Sequence, residues 1–457
     1  MNPILPIQHF VPDAEARQWS DGRMYLYGSY DISGRTSYCS WEYHIFSSAD
    51  LVHWEHHGES FRSTGPDSDV PWTGAPLFAP DCIYYNGRYY LFFCNADRSE
   101  GVAESLSPTG RFTNAAPIEG ADGEAIDPAV LVDDDGQVYY YWGQFHLRGV
   151  KLRPDLRGIQ PETLCTDLIT EAGHGFHEGA SIRKRNGMYY LVYTDISRGR
   201  PTSMAYATSR APLGPFTKGG IIIDNTGCDL ETWNNHGSIA EFAVRGNSKI
   251  PKATDDLPRT DGQWYIFYHR SSQASQFNRR VCVEPIHFNA DGSIDEVEMT
   301  TQGVTGPLPA SQPIEAWRAC LLHGQVRTAA EGPAESDPTV HERLTLIHHG
   351  DWAAYKYVDF EAQPVHTFQA RAASLAYGGS IEIHLDQPDG ELIGTCDVPR
   401  TGGWQKWSTL ACPVQGAKGV RAVYLVFKGK EGRLSDLARK FDPERLFDLE
   451  SFWFVEG

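Results

Sequence analysis

The sequence predicts an all-β protein: a five-bladed β-propeller over residues 1–300, then a jelly-roll-like β-sandwich over 314–457, joined by a linker at 301–313. Three observations predict it. A turn-and-strand motif recurs five times in the first 300 residues. Its spacing is close to that of propeller blades. The last third drops the motif but keeps short alternating strands.

The motif is Asp or Asn, then Gly, then a run of Tyr, Phe, Leu and Val. It reads DGRMYLYG from Asp21, NGRYYLFF from Asn86, DGQVYYYWG from Asp135, NGMYYLVYTD from Asn186 and DGQWYIFYHR from Asp261. Asp-Gly and Asn-Gly supply the positive φ of a tight hairpin, and the aromatic and β-branched run that follows suits a strand. Outer strands follow in SSADLVHWEHHG from Ser47, GVAESLSPTGRF from Gly101 and MAYATSRAPLGPF from Met204. Each unit thus holds about four strands. The polar stretch 245–260 in the fifth unit reads as a surface loop.

Bulk composition narrows the function. The chain has 457 residues, 41% hydrophobic and 22% charged, with a formal net charge of −19. That balance is globular and offers no basic face to a nucleic acid. A neutral ligand suits it better, and 12 Trp and 22 Tyr provide faces that stack on sugars or fill β cores. The nine Cys are scattered without a Cys-x-x-Cys pair, which argues against a zinc site or disulfide framework and for reduced, mostly buried thiols. The start, Met-Asn-Pro-Ile-Leu-Pro, has neither the basic region nor the apolar run of a secretory signal. As written the chain reads as cytoplasmic, or as secreted or periplasmic if a signal was removed. No membrane partner is expected, and the oligomeric state is open.

Three acids share one place in the repeat. Asp13 lies eight residues before Asp21, Asp127 eight before Asp135, and Glu178 eight before Asn186. In a propeller, equal positions in the repeat mean equal heights along the central axis. The three carboxylates should therefore meet at one mouth of the channel. Crowded there, they cannot all ionise at their free pKa values. One proton-bearing acid and one ionised base is what glycoside hydrolysis requires. Asp81, five residues before Asn86, breaks the register and is a weaker substrate-site candidate.

These segments, with FAPDCIYYNGRYYLFF, FHEGASIRKRNGMYYLVY, NNHGSIAEF and NRRVCVEPIHFNADGSI, resemble glycoside hydrolase family 43 across nearly all of residues 1–300. The resemblance implies a five-bladed propeller and inversion at the anomeric carbon. It implies Asp13 as general base, Glu178 as general acid, and Asp127 as the carboxylate that orients the acid and raises its pKa. Arg279 would lie against the sugar and the acids, with Arg280 an adjacent candidate. Trp72 would form an aromatic wall, and His177 would line the pocket. His236 would be the channel histidine, against which a structural Ca²⁺, shelled mostly by water, could sit. No cofactor is implied for the chemistry.

Beyond the linker, DWAAYKYVDF, GGSIEIHLD, GWQKWSTL, RAVYLVFKG and SFWFVEG read as sandwich strands. TGGWQKWSTL, AVYLVFKG and FDLESFWF resemble carbohydrate-binding module family 6. That implies a sugar grip with Trp404 as one aromatic, Tyr377 or Tyr355 as its mate, and Asp448 as the polar group. The charged insertion 428–446 could reshape or cover the cleft, and Glu315 weakly resembles part of a calcium site. The expected activity is removal of terminal pentose units from plant-type oligosaccharides, of β-xylosidase or α-L-arabinofuranosidase type. The alternatives are an exo-acting galactofuranosidase or galactan hydrolase, a retaining invertase-type enzyme, a phosphorylase, and a catalytically dead sugar-binding protein.

Overall fold

In the computed structural model, the described residues form seven antiparallel-dominated sheets, the first five in succession along the chain and the last two interleaved. The structure describes all residues except 122–124, 230–231, 244–261, 331–340, 362–364, 430–443 and 457. The Asp261 turn, the 245–260 insertion and most of the 428–446 insertion therefore lie outside the described residues.

The first five sheets are the blades. Blade one holds Glu15–Gln18, Met24–Tyr27, Glu42–Ser48 and Trp54–Arg62, in that order outward. Blade two holds Asp81–Tyr85, Arg88–Cys94, Glu100–Ser105 and Thr113–Pro117. Blade four holds Phe176–Arg185, Met188–Asp195, Ser203–Ser209 and Thr217–Asp224. The third and fifth blades have three strands each among the described residues, 129–151 and 238–286. In the third, the outer edge is reduced to isolated bridges such as Gly149 to Cys165. In the fifth, the edge is taken by the chain's own beginning. The Ile4 N–H donates to Val281 O at 3.1 Å, and the Asn2 side chain bonds both the N–H and the C=O of Val283.

The repeated turns do what their residues dictate. At the tip of blade four, Asn186 (φ 51°) and Gly187 (φ 70°) both take the left-handed region that a two-residue hairpin needs. The strands alternate between cores on either side. Tyr189, Leu191 and Tyr193 pack towards blade three, while Tyr190 and Val192 pack towards blade five.

The innermost strands stand side by side around the axis, and Ala14 bridges Gly237 where the fifth blade meets the first. Buried ion pairs plug the bore. Arg17 of blade one forks onto Asp81 of blade two at 2.8 Å and donates to Val130 O of blade three. Arg183 of blade four donates to Glu15 of blade one at 2.6 Å. These charges are matched across blades, so they register neighbouring blades as well as satisfy one another.

The last two sheets form the sandwich. One runs 308–309, 352–359, 420–429, 379–385, 391–398; the other runs 327–330, 342–345, 448–456, 365–373, 408–413. Between them Ile381, Phe368, Leu425, Phe427 and Phe452 form one apolar core. The 301–313 stretch differs from a free linker. Thr301 and Gln302 donate to Lys356 O, and Leu308–Pro309 pairs in parallel with Val358–Asp359. The sandwich also grips the propeller, through Leu322 N–H to Gly227 O at 2.6 Å in the connection between blades four and five and through a buried ion pair between Glu342 and Arg280 of the fifth blade. Among the described residues no helix is long and apolar enough to cross a membrane.

Candidate active site

A cavity of about 500 Å³ opens at one mouth of the propeller, and Asp13, Asp127 and Glu178 all line it. Asp13 and Asp127 sit where the chain enters the innermost strands of blades one and three. Both are left-handed, with φ 58° and 53°. Asp tolerates that region better than most residues, and such backbone strain clusters at functional sites. In blade four the equivalent kink falls one residue later, at Gly179 (φ 69°). There a Cβ would stand 2.6 Å from Thr194 Oγ1 and 2.8 Å from the His236 ring. Glycine at this point lets the backbone N–H reach Asp127 Oδ2 at 3.0 Å. Neighbouring residues of blade four thus supply one acid and tether another.

The three acids have different surroundings. Burial would raise Asp13, but Arg279, then His236, His269 and the Ser29 hydroxyl outweigh it and hold the carboxyl below the ordinary range. Arg279 Nη1 lies 3.0 Å from Asp13 Oδ1, and Ser29 Oγ donates to Asp13 Oδ2 at 2.7 Å. Asp127 goes the other way. Burial, then the charges of Glu178 and Asp13, push it well above the ordinary range. The surroundings therefore favour the ionised form at Asp13 and the protonated form at Asp127. Glu178 is held by Gln144 Nε2, which donates to its Oε2 at 2.9 Å, and by Asn234 Nδ2 at 3.5 Å from Oε1.

Arg279 lies where the sequence placed it. Its orienting partner, Asp31, was not anticipated. Arg279 Nε and Nη2 make a parallel pair of 2.9 Å bonds to Asp31, which leaves Nη1 for Asp13. Such a fork fixes the plane of the guanidinium. Arg280 points the other way, into the sandwich interface between Phe10 and Trp317, and takes no part in the pocket.

His269 is a second residue that sequence reasoning missed. Its Nδ1 accepts the Asp13 N–H at 3.3 Å and its Nε2 donates to Asn234 O at 3.0 Å. Burial lowers its pKa to about 3, and its two ring nitrogens tie the backbone at Asp13 to that at Asn234. Neither is marked by the repeat: Asp31 lies four residues past the strand Met24–Tyr27, and His269 lies inside the strand Gln263–Ser272.

His177 lines the cavity as expected. Trp72 and Asp81 do not. Trp72 stacks on Phe93, bonds Ser99 and lies against Gly101 within blade two. Asp81 is fully buried in the bore, its oxygens taken by Arg17 and the Val130 N–H. The aromatic lining is built instead by Phe145, His177 and Trp233, with Tyr38 against Arg279.

His236 also lines the cavity, with Nδ1 3.5 Å from Asp13 Oδ1. Ca²⁺ prefers six to eight oxygen ligands. Here the protein would offer one imidazole, because the nearest carboxylate is engaged by Arg279. Among the described residues no group of three or more His, Cys, Asp or Glu could hold a metal ion. The donor set does not fit a protein-built calcium cage.

In the sandwich, Tyr377 is exposed at 41%. Trp404 carries the Arg445 guanidinium 3.8 Å above its ring. Asp448 is fully buried and bonded by Arg445, Arg343 and Thr345, so it anchors arginines and offers a ligand no free oxygen. Tyr355 is a core residue donating to Ala316 O, and Glu315 pairs with Arg318.

A carboxylate cluster assembled from three blades in one cavity, with a guanidinium fixed on one acid and a backbone N–H on another, defines a propeller that hydrolyses glycosidic bonds. The comparisons with known proteins agree. The family model for glycosyl hydrolases family 43 matches residues 1–294, and that for carbohydrate binding module (family 6) matches 327–456. The chain belongs to glycosyl hydrolases family 43 and is a glycosidase. An arabinoxylan arabinofuranohydrolase of Bacillus subtilis is 30% identical, covering 94% of this chain and 89% of the relative. A xylosidase/arabinosidase of Thermoclostridium stercorarium is 31% identical, covering 94% and 96%. A crystal structure of a family 43 arabinoxylan arabinofuranohydrolase from Bacillus subtilis, in complex with cellotetraose, has a TM-score of 0.54 at 28% identity, covering 100% of this chain and 97% of that one.

Proposed function

We propose that the protein is an inverting hydrolase that removes terminal xylosyl or arabinofuranosyl units from plant-type oligosaccharides. The observation that carries this is geometric: Asp13, Asp127 and Glu178 come from three blades to line one cavity, with Arg279 fixed on Asp13 and the Gly179 N–H on Asp127. The names of the two relatives above support the pentose class.

Asp13 takes a proton from water as the water attacks the anomeric carbon. Arg279 keeps Asp13 charged and, through Asp31, correctly turned. Glu178, steadied by Gln144 and Asn234, gives its proton to the departing oxygen. Asp127, tethered by the Gly179 N–H, borders Glu178; repulsion between the two carboxylates keeps one proton shared by the pair, and it is this proton that Glu178 delivers. Inversion follows when base and acid act from opposite faces of the sugar.

Aryl β-xylosides, α-arabinofuranosides and β-galactofuranosides, with the product anomer followed by NMR, test the reading. Wild type should release an inverted pentose. Asp13→Asn should lose about 10²–10⁴-fold on every substrate, the usual share of general base catalysis. Glu178→Gln should lose that much on natural oligosaccharides but far less on aryl glycosides, whose leaving group needs little protonation. A retained anomer, or equal losses for Glu178→Gln on both substrate types, would refute it.

A further inference from the structure

A ladder of stacked groups leads outward from the acid. His177, next to Glu178 in the chain, has Phe145 edge-on at 5.1 Å on one side and Trp233 at 5.2 Å on the other. The Arg200 guanidinium lies 4.0 Å above the Trp233 ring. The loops carrying Trp233 and Arg200 are pinned together by the Thr202 N–H, which donates to Trp233 O at 3.0 Å.

The two arginines of the cavity differ. Arg279 is buried and saturated by two carboxylates. Arg200 is exposed at the rim, and none of its contacts among the described residues is with a carboxylate. In a chain of net charge −19, a cavity arginine left without an acid is a conspicuous vacancy for one.

The position of Arg200 says which part of the substrate it meets. A general acid stands beside the oxygen that leaves, so the groups flanking Glu178 border the leaving oligosaccharide. Neutral hydroxyls there do not need a guanidinium. A carboxylate does, since charge-assisted bonds to Arg are shorter and stronger than neutral ones. The Trp233 ring beneath holds the guanidinium plane and offers a face to the sugar that carries the acid.

We propose that Arg200 selects oligosaccharides carrying a uronic acid on the leaving-group side of the scissile bond. This rests on the reading of the chain as a pentose-releasing hydrolase with Glu178 as acid.

The test compares two pentose-bearing xylo-oligosaccharides, one with a uronic acid on the neighbouring sugar and one with that carboxylate reduced to the alcohol. Wild type should favour the acid in kcat/KM by about three- to fivefold at low salt, the size of an exposed ion pair. The preference should shrink towards one in high salt. Arg200→Gln should abolish it and Arg200→Lys should keep part of it. A wild-type ratio of one, or a ratio that survives in Arg200→Gln, overturns the proposal. Should Arg200→Gln not fold, the wild-type ratio, its salt dependence and Arg200→Lys decide. Failure to release pentose from a neutral aryl pentoside would instead sink the underlying functional reading.

Discussion

At the scale of residues, one fold position produces opposite acids. Asp13 and Asp127 occupy equivalent kinks, yet Arg279 faces one and two carboxylates face the other. The pH profile should show it. Asp13 is depressed, so the base form persists as pH falls through the ordinary carboxylate range. The acid limb of kcat/KM should lie below about pH 4, the free Asp value. Arg279→Met should move that limb upward, which a pH–rate series would record. Asp127 carries the reverse sign. A folded pKa above the unfolded one contributes stability below the unfolded value and loses it as pH rises through the folded value. Asp127→Asn removes that loss while still accepting the Gly179 N–H. It should raise stability near and above neutrality by about 0.5–2 kcal/mol, measured by denaturant unfolding, while activity collapses. Asp13, Asp127 and Glu178 were legible because a turn eight residues downstream of each fixed their register. Asp31 and His269 were not, because they act through another residue and no repeat marks them. Trp72 misled because a tryptophan in a Gly/Pro-rich loop reads alike whether it faces a cavity or, as here, Phe93.

At the scale of elements, the innermost strand of blade four bears the tightest constraint. Its register shifts between Phe176 and Ser181, where Glu178 and Gly179 lie. Gly179→Ala should cost about 1–3 kcal/mol from the left-handed backbone alone. The added methyl would also push Thr194 and the His236 ring from the pocket floor. Activity should therefore fall by more than the stability loss explains, which kcat measured well below the unfolding temperature would show. The blade count was legible from five turns. The composition of the outer edges was not. The third blade's edge depends on isolated bridges and the fifth's on residues at the far end of the sequence, and neither leaves a local pattern.

At the scale of the whole molecule, the propeller and the sandwich share buried charge. Arg280, stacked between Phe10 and Trp317, meets Glu342 of the sandwich, whose carboxylate also takes Gln273 Nε2. Removing one partner of a buried pair strands the other. Glu342→Ala should thus destabilise by about 3–5 kcal/mol, and calorimetry should show the two parts losing their joint transition. A sequence splits such a chain at its Pro-rich stretch because composition changes there, but the hydrogen bonds of Thr301 and Gln302 run straight across it. The innermost strands hold one further consequence. Four of them present a single methyl group to the packing between blades, at Ala16, Ala129, Ala180 and Ala240. Since the separation of the two working carboxyls decides which anomer is released, and each acid rides on its own blade, those alanines act as the gauge of the ring. Thickening one by a methylene or two would widen the bore, so the room for the attacking water answers to the circumference of the wheel as well as to the acids mounted on its rim.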